Sequence, residues 1–405
     1  MNRKKILIFS LAYYPKYVGG AEVAIKEITD RVSAGRYEFH MITNRYDASL
    51  SKVEQIGNVL VHRIGPTVSD ADISTTHHPL FYFAKILYVP LAAMKARTLH
   101  RQHGYSGFWA MMVYMTFPVA ILRLSGLKLP YAVTLQEGDP YDWVFERWYI
   151  KLFRPLLLSG IRNATVAQTI SRFLAKWVQN AGFKGPIFVI PNGADFSNFS
   201  RQFSDKEMQT ARQELGKKDG QTYLVTTSRL VHKNGIDVVI RALPLLPDNI
   251  FFVIYGSGPK KDELKKLSSE LGVSGRVLFK GHADNKLLPL YMKACDIFVR
   301  PSRSEGMGIS FVEAMAAGLP VIATQEGGIS DFLFDETINP DKKTTGWAVR
   351  TEHHDDVARA VSAILSDEHK TKTVTENAKR TVMETYNWDV VAKSMEQSVF
   401  SNLIT

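Results

Sequence analysis

Short apolar runs alternate with amphipathic stretches along most of this chain. Runs such as residues 6–9, 252–255 and 277–279 are typical of buried β-strands. Apolar positions spaced three and four apart, as at residues 309–316 and 388–396, predict α-helices. Because buried strands that alternate with helices form parallel sheets, we expect an α/β fold.

The length of the chain and a break near its middle predict two domains. With 405 residues, 45% of them hydrophobic, the chain can form two domains of about 200 residues, each with its own core. The segment at residues 191–195 has the composition of a link. We therefore expect two doubly wound, Rossmann-like domains at 1–191 and 192–385 that face a central crevice, followed by a helical segment at 386–405.

A glycine loop that opens a helix carries the most informative chemistry. Glu305 precedes the turn Gly306-Met307-Gly308, and the helix begins at Ile309 and Ser310 with Glu313 one turn further. Free backbone N–H groups at a helix start suit a phosphate. A carboxylate can accept hydrogen bonds from vicinal hydroxyls, so Glu313 suits a ribose and Glu305 suits a second sugar. The alternative is that both glutamates are solvated charges at the rim of an ordinary loop.

Two cations and several glycines follow other predicted strands. Arg229 and Lys233 lie on one loop after a strand, where they can hold a diphosphate. Gly256 and Gly258 follow the next strand, and His282 follows the one after it. Open α/β sheets bind ligands where several strand ends converge. An isolated Arg or Lys is more often only an exposed charge, and the combination argues against that interpretation here.

A glycine pair near the amino end has the same character. Gly19 and Gly20 follow the first predicted strand and open a helix. Glycine lets the backbone approach a phosphate or a sugar where a side chain would stand in the way. The alternative is that the pair only makes a turn.

Taken together, these motifs resemble those of the retaining glycosyltransferases of family 4, which have the two-domain GT-B architecture. The family pattern of two glutamates separated by seven residues is similar to Glu305 and Glu313. Its cationic loop is similar to Arg229 and Lys233, and its amino-terminal glycine loop to Gly19 and Gly20. The resemblance implies an acceptor-side domain at 1–191, a nucleotide-sugar donor domain at 192–385, and a last helix that crosses back to the first domain.

The resemblance also implies a reaction. A hexose would pass from a UDP- or GDP-linked donor to a glycan or lipid-linked acceptor with retention of the anomeric configuration. Arg229, Lys233 and the helix start at Ile309 would stabilise the departing diphosphate, a task that other transferases give to a metal ion. We expect neither a metal nor another cofactor, because the adjacent pairs His77-His78 and His353-His354 lack convincing metal-ligand spacing.

The chain departs from the family pattern at one position. Many relatives have a histidine after the strand at residues 131–135, and this chain has Gln136. Glutamine can hydrogen-bond a sugar hydroxyl but cannot act as an acid or base. Glu137 and Asp139 follow, and one of them could position the acceptor or take its proton. Equally, Asp139-Pro140 could only shape a turn.

The net charge of +10 and a sequence pI near 9.4 favour an anionic partner. No nucleic-acid-binding motif is present, so we expect no nucleic acid. Residues 81–97 and 143–154 mix aromatic side chains with cations, a composition that suits an anionic membrane surface. The alternative, that these apolar faces pack into the first domain, stays open.

The remaining features concern location and rival functions. A single cysteine, Cys295, excludes an intrachain disulfide and fits a reducing compartment. The apolar start is too short for a secretion signal, so we expect a cytoplasmic protein at the inner membrane face. Two other functions stay open: a nucleotide-sugar epimerase of the same fold and a non-catalytic nucleotide-sugar-binding subunit.

Overall fold

The chain divides into two compact α/β units. The computed structural model describes residues 3–67, 79–139, 141–145, 148–284 and 286–404. The N-terminal unit consists of Met1–Asn192 together with Trp388–Thr405, and the C-terminal unit consists of Gly193–Asn387. Of the residues and ranges discussed above, His77, His78, Pro140 and residues 146–147 of the stretch 143–154 lie outside the described residues.

The N-terminal unit is built on an eight-stranded sheet with the order β3-β4-β2-β1-β5-β6-β7-β8. All neighbouring strands are parallel except β3 and β4, which form an antiparallel pair. The strands are β1 Lys4–Phe9, β2 Tyr37–Asn44, β3 Val53–Ile56, β4 Val59–Ile64, β5 Gly107–Met111, β6 Tyr131–Leu135, β7 Val166–Thr169 and β8 Ile187–Val189.

Helices cover this sheet. They are α1 Gly20–Arg31, α2 Pro79–His103, α3 Thr116–Leu124, α4 Tyr141–Phe145, α5 Trp148–Arg162 and α6 Arg172–Asn180, with a 3-10 turn at Val113–Met115. The apolar run at residues 108–122 is divided between β5, this turn and α3. Among the described residues, no helix combines the length and the apolar character that crossing a membrane requires.

The C-terminal unit is built on a six-stranded parallel sheet with the order β11-β10-β9-β12-β13-β14. The strands are β9 Thr222–Thr227, β10 Ile250–Tyr255, β11 Val277–Gly281, β12 Ile297–Arg300, β13 Val321–Ala323 and β14 Trp347–Ala348. The helices are α7 Phe196–Phe199, α8 Asp205–Leu215, α9 Ile236–Ala242, α10 Lys261–Glu270, α11 Leu288–Lys293, α12 Ile309–Ala317, α13 His354–Ser366 and α14 Glu368–Thr385, with a 3-10 turn at His232–Asn234.

The last segment of the chain packs on the N-terminal sheet. It comprises α15 Trp388–Ser394, a π-helical turn at Met395–Val399 and a 3-10 turn at Phe400–Leu403. Phe400 lies with its ring 5.4 Å from that of Phe39 and 5.1 Å from that of Trp109. All three side chains are buried, so this segment completes one face of the core of the N-terminal unit.

Candidate functional site

The loops after four adjacent strands meet at one edge of the C-terminal sheet. Strands β11, β10, β9 and β12 are neighbours and run in parallel. Their carboxyl ends therefore lie at the same edge, where open α/β sheets bind ligands. The structure brings the following predicted residues to this edge: His282 after β11, Gly256 and Gly258 after β10, Arg229 and Lys233 after β9, and Glu305 after β12.

The loop after β9 presents Arg229 to solvent. Its side chain is exposed and makes no hydrogen bond or ion pair with a described residue. Its backbone is fixed, because the Asn234 side-chain amide donates to the Arg229 carbonyl over 2.6 Å. With its backbone fixed and its guanidinium not bonded to a described residue, Arg229 is suited to bind an anion.

Lys233 is held in place from the loop after β12. The Arg303 N–H donates to the Lys233 carbonyl over 2.7 Å. The Arg303 guanidinium forms two parallel bonds with Asp237, of 2.8 and 2.7 Å, and also pairs with Glu352. Burial alone would raise the pKa of the Asp237 carboxyl, but Arg303 outweighs burial and holds that pKa below its usual value. Sequence reasoning missed Arg303, since nothing local shows that its partner lies after β9.

Gly256 and Gly258 are needed for loop packing. Gly256 has a φ of +140°, and a Cβ atom there would lie 1.8 Å from the Ser228 carbonyl oxygen. A Cβ at Gly258 would lie 2.5 Å from the Leu230 carbonyl oxygen. The Leu230 N–H donates to the Ser257 carbonyl over 2.9 Å, which joins the two loops. Both glycines thus position the loop of Arg229, and their direct contact with a donor stays a prediction.

The predicted glycine turn and helix are present after β12. Gly308 precedes α12 with a φ of +91°, a left-handed conformation that glycine adopts without strain. Gly306 and Met307, the first two residues of the turn, are buried, and α12 begins at Ile309 and Ser310. The turn is supported by the loop after β13, because the Gly328 N–H donates to the Glu305 carbonyl over 2.9 Å. The first N–H groups of a helix need partners from outside it, so this end of α12 suits an anion.

Arg300, at the end of β12, organises this loop. Its guanidinium is buried and donates to Glu305 Oε2 over 2.9 Å, to Ser310 Oγ over 2.7 Å and to the Thr227 carbonyl over 3.2 Å. Burial lowers the pKa of this guanidinium, while Glu305 and Glu313 oppose the shift. Sequence reasoning missed Arg300. The available signal was an arginine that continues a buried apolar strand, where a charge requires a partner.

Glu313 lies one turn into α12, as predicted. Its side chain is partly buried and makes no hydrogen bond with a described residue. Burial raises the pKa of this carboxyl to about 7, with Arg300 opposing the shift and Asp195 adding to it. A carboxyl with open acceptor positions is chemically suited to a diol.

The glycine pair of the N-terminal unit opens α1. The Gly19 N–H donates to the Glu22 carboxylate over 2.8 Å, which caps the helix. Both glycines are exposed, and a Cβ at Gly20 would meet no atom within 4 Å. The structure therefore leaves open space above Gly20, and no contact within the unit requires glycine there.

Gln136, after β6, is paired with another amide. Its Nε2 donates to Asn192 Oδ1 over 3.1 Å, and Asn192 Nδ2 donates to Gln136 Oε1 over 3.0 Å. Asn192 is buried and belongs to the predicted link at 191–195. This reciprocal pair fixes the orientation of Gln136 at the carboxyl edge of the N-terminal sheet. Sequence reasoning missed Asn192, which is distant from Gln136 along the chain.

Glu137 is buried, and Asp139 is partly exposed. Glu137 Oε1 accepts a hydrogen bond from the Val113 N–H over 2.8 Å, whereas Oε2 has no hydrogen-bond partner among the residues that the structure describes. Burial raises the pKa of this carboxyl to about 7, against the lowering effect of the backbone donors. Glu137 would have to become exposed to contact an acceptor, whereas Asp139 is already partly exposed, and a role for either at the acceptor stays a prediction.

Acidic and histidine side chains do not gather into a metal site in the part of the chain that the structure describes. His353 is exposed and precedes α13, and His354 begins that helix. These two side chains therefore belong to the surface, as expected from their adjacency.

Comparison with known families places the two halves of the chain in related groups. Residues 18–198 match the family described as Glycosyltransferase Family 4, and residues 207–381 match the family described as Glycosyl transferases group 1. Together these matches span most of the chain, including the loops after β1, β6, β9 and β12.

The curated relatives that the chain resembles include further glycosyltransferases. An uncharacterised glycosyltransferase of Methanocaldococcus jannaschii is 27% identical over an alignment of 406 positions, which covers 96% of each chain. The GDP-mannose-dependent α-(1-6)-phosphatidylinositol monomannoside mannosyltransferase of Mycobacterium tuberculosis is 28% identical over 76% of this chain and 78% of its own.

Solved structures show the same fold. Sucrose-phosphate synthase from Thermosynechococcus elongatus superposes with a TM-score of 0.79 at 20% identity, covering 98% of this chain and 99% of that one. The Anabaena protein HepE in complex with UDP-glucose gives a TM-score of 0.76 at 21% identity with the same coverage. The predicted GT-B fold, with two parallel-sheet α/β domains, is confirmed.

Proposed function

The chain belongs to the family 4 glycosyltransferases, and from that membership we propose a retaining enzyme that transfers a hexose from a UDP- or GDP-linked donor to a glycan or lipid-linked acceptor. The observation that carries the proposal is the carboxyl edge of the C-terminal sheet. There an uncommitted arginine, a helix start and two carboxyl groups occur on the loops of adjacent strands.

The donor is recognised by charge and by hydroxyl acceptors. Arg229, Lys233 and the start of α12 bind the diphosphate, since cations and free N–H groups are its natural partners. Glu313 accepts hydrogen bonds from the ribose diol, and Glu305 accepts them from the transferred sugar. Arg300 supports this arrangement, because its guanidinium orients the carboxylate of Glu305 and the hydroxyl of Ser310.

Bond cleavage places negative charge on the leaving diphosphate and positive charge on the anomeric carbon. Preorganised donors stabilise that negative charge without reorganising during the reaction, so the residues of this edge replace a metal ion in the proposal. The acceptor hydroxyl attacks from the face of the leaving group, and the departing phosphate takes its proton. Gln136 then serves as a hydrogen-bonding group for the sugar rather than as an acid or base.

The acceptor side belongs to the N-terminal unit, where Glu137 or Asp139 contacts the acceptor. In the same unit, Gly19 and Gly20 approach the donor, and Gln136 hydrogen-bonds a sugar hydroxyl. A lipid-linked acceptor is supported by the names of relatives, among them the phosphatidylinositol monomannoside mannosyltransferase and the α-monoglucosyldiacylglycerol synthase of Streptococcus pneumoniae. Exposed apolar side chains on α2 and α5, including Ile86 and Leu152, support the proposal that the enzyme acts at an anionic membrane surface.

The test is a transfer assay with a panel of radiolabelled UDP- and GDP-sugars and extracted glycan and lipid acceptors. We expect label in the acceptor from one nucleotide class, with the donor's anomeric configuration kept in the product. Conversion of the free donor to its epimer would identify an epimerase, and nucleotide-sugar binding with no product would identify a binding subunit. Either result contradicts the proposal.

Thermal shift with UDP and GDP separates the two donor classes before any acceptor is known. A ligand at about 100 times its dissociation constant stabilises the folded protein by roughly 2.7 kcal/mol. We expect one nucleotide to raise the melting temperature and the other to have a much smaller effect.

A further inference from the structure

The N-terminal unit contains a cavity of about 440 Å³ beside α2 and the ends of β2 and β4. Arg45 and Ile64 line it from the ends of these strands, and Lys95 and Met94 line it from the helix. Strands β2 and β4 are parallel, so the cavity lies at the carboxyl edge of the sheet, the edge at which Gln136 follows β6. None of the predicted donor-binding or acceptor-side residues lines this cavity.

Three of the cations that line the cavity form no ion pair with a described residue. The Arg45 guanidinium donates to the carbonyls of Leu50 and Ala48, each over 2.8 Å, which fixes its position without neutralising it. The side chains of Lys52 and Lys95 make no hydrogen bond or ion pair with a described residue. Among the described residues that line the cavity, none is acidic.

A fourth cation, Arg63, has its own partner. It pairs with Glu54 over 2.7 Å and donates to the Tyr14 carbonyl over 2.8 Å. The positive charges of Arg45, Lys52 and Lys95 around one cavity repel each other, and an anion bound there would relieve that repulsion. A guanidinium already fixed by backbone carbonyls loses little conformational entropy when an anion binds.

An apolar surface leads from this cavity along α2. Met94 lines the cavity and is 68% exposed, Ile86 is 73% exposed and Phe83 is 56% exposed. Their spacing places them along one face of the helix. The cavity therefore combines a cationic end with an adjoining apolar stripe, which is the complement of an amphiphile with an anionic head.

We infer that this cavity binds the phosphate group of an anionic lipid, with Arg45, Lys52 and Lys95 around the phosphate and the stripe of Phe83, Ile86 and Met94 against the acyl region. The inference rests on the proposed function in one respect, since it assigns the lipid contact to the acceptor-side unit. The chemistry itself is general: a phosphate ester accepts several charge-assisted hydrogen bonds, and cationic side chains are its usual partners.

The test is co-sedimentation of the full chain with vesicles of phosphatidylcholine and phosphatidylglycerol in a two-to-one ratio. Each lysine near an anionic surface contributes about fivefold to partitioning, so Lys52→Gln/Lys95→Gln should partition about 25-fold more weakly than wild type. Lys128→Gln is the matched control, because Lys128 is exposed at the opposite edge of the same sheet, just before β6. We expect the control to remain within about twofold of wild type. A double variant that partitions like the control would overturn the inference.

Two further arms identify the chemistry and its source. Vesicles in which oleate supplies the same surface charge should bind more weakly than phosphatidylglycerol vesicles, and equal binding would overturn selectivity for phosphate. Inorganic phosphate, at matched ionic strength, should displace wild type from the vesicles. Phosphate binding that depends on Lys52 and Lys95 without any vesicle binding would assign the cavity to a soluble phosphate ester and overturn the lipid source.

Donor binding is measured on the same proteins. Because Lys52 and Lys95 lie in the N-terminal unit, the thermal shift with UDP or GDP should be the same in the double variant and in wild type. Loss of vesicle binding with an unchanged nucleotide shift supports the headgroup site alone. A chain that binds vesicles as expected but transfers no sugar would contradict the proposed function and leave this inference standing.

Discussion

The substitution Arg300→Met tests whether one buried arginine organises the candidate donor loop. It removes the bonds to Glu305, Ser310 and the Thr227 carbonyl. Methionine is unbranched and apolar, so it keeps much of the packing against Phe311, over whose ring the guanidinium lies at 4.1 Å. What changes is chiefly the charge and the hydrogen bonds.

The expected loss of stability follows from the carboxylate of Glu305 that remains. The Arg300 side chain is 6% exposed and that of Glu305 is 16% exposed, so the substitution leaves a largely buried carboxylate without its partner. Breaking such a pair by removing one member costs about 3–5 kcal/mol. In a domain of about 200 residues, each kcal/mol lowers the melting temperature by about 2–4 °C, which gives a decrease on the order of 10 °C.

Scanning calorimetry of the full chain measures this change, and hydrogen exchange in β9 and β12 assigns it to the C-terminal unit. Arg241→Met is the control, because Arg241 is exposed on α9 and should change stability by no more than about 0.5 kcal/mol. Arg300→Lys keeps a charge but not the planar fork, so it should recover only part of the loss. Equal melting temperatures for Arg300→Met and Arg241→Met would refute the reasoning.

Three further predictions concern pH, packing and metal. Because the pKa of Glu137 is about 7 when folded and 4.5 ordinarily, the folded state binds more protons between these values and its stability falls as pH rises through them. Wild type should therefore lose on the order of 3 kcal/mol more than Glu137→Gln between pH 5 and pH 8 in urea unfolding, and parallel curves would contradict this. Gly256→Ala should destabilise far more than Gly272→Ala, since both have positive φ but only Gly256 meets the Ser228 carbonyl, and equal melting temperatures would exclude the packing argument. Sugar transfer should persist in EDTA, and a loss restored by magnesium would contradict a metal-independent reaction.

Sequence patterns were sufficient where the signal was local. The glycine turn and helix start at Gly308 and Ile309 depend on neighbouring residues, and both are present. The meeting of the loops after β9 to β12 was also predictable, because parallel strands present their carboxyl ends at one edge.

Contacts between distant segments were not predictable from the sequence. The pairing of Arg303 with Asp237 and of Gln136 with Asn192 depends on which strand ends become neighbours. The burial of Glu137 also depends on which strand ends become neighbours, since its partner Val113 follows a different strand. The sequence of α2 showed a mixture of aromatic and cationic residues, but it did not show that apolar side chains such as Ile86 and Met94 remain exposed.

The proposed mechanism depends on Arg229 and Lys233, which stabilise the departing diphosphate. Turnover of Arg229→Ala and Lys233→Ala at saturating donor, compared with Arg241→Ala as an exposed control on the adjoining helix, tests it most directly. We expect each variant to lose on the order of 10²-fold or more in turnover while its melting temperature stays near that of wild type. Turnover close to wild type in both variants would contradict the claim.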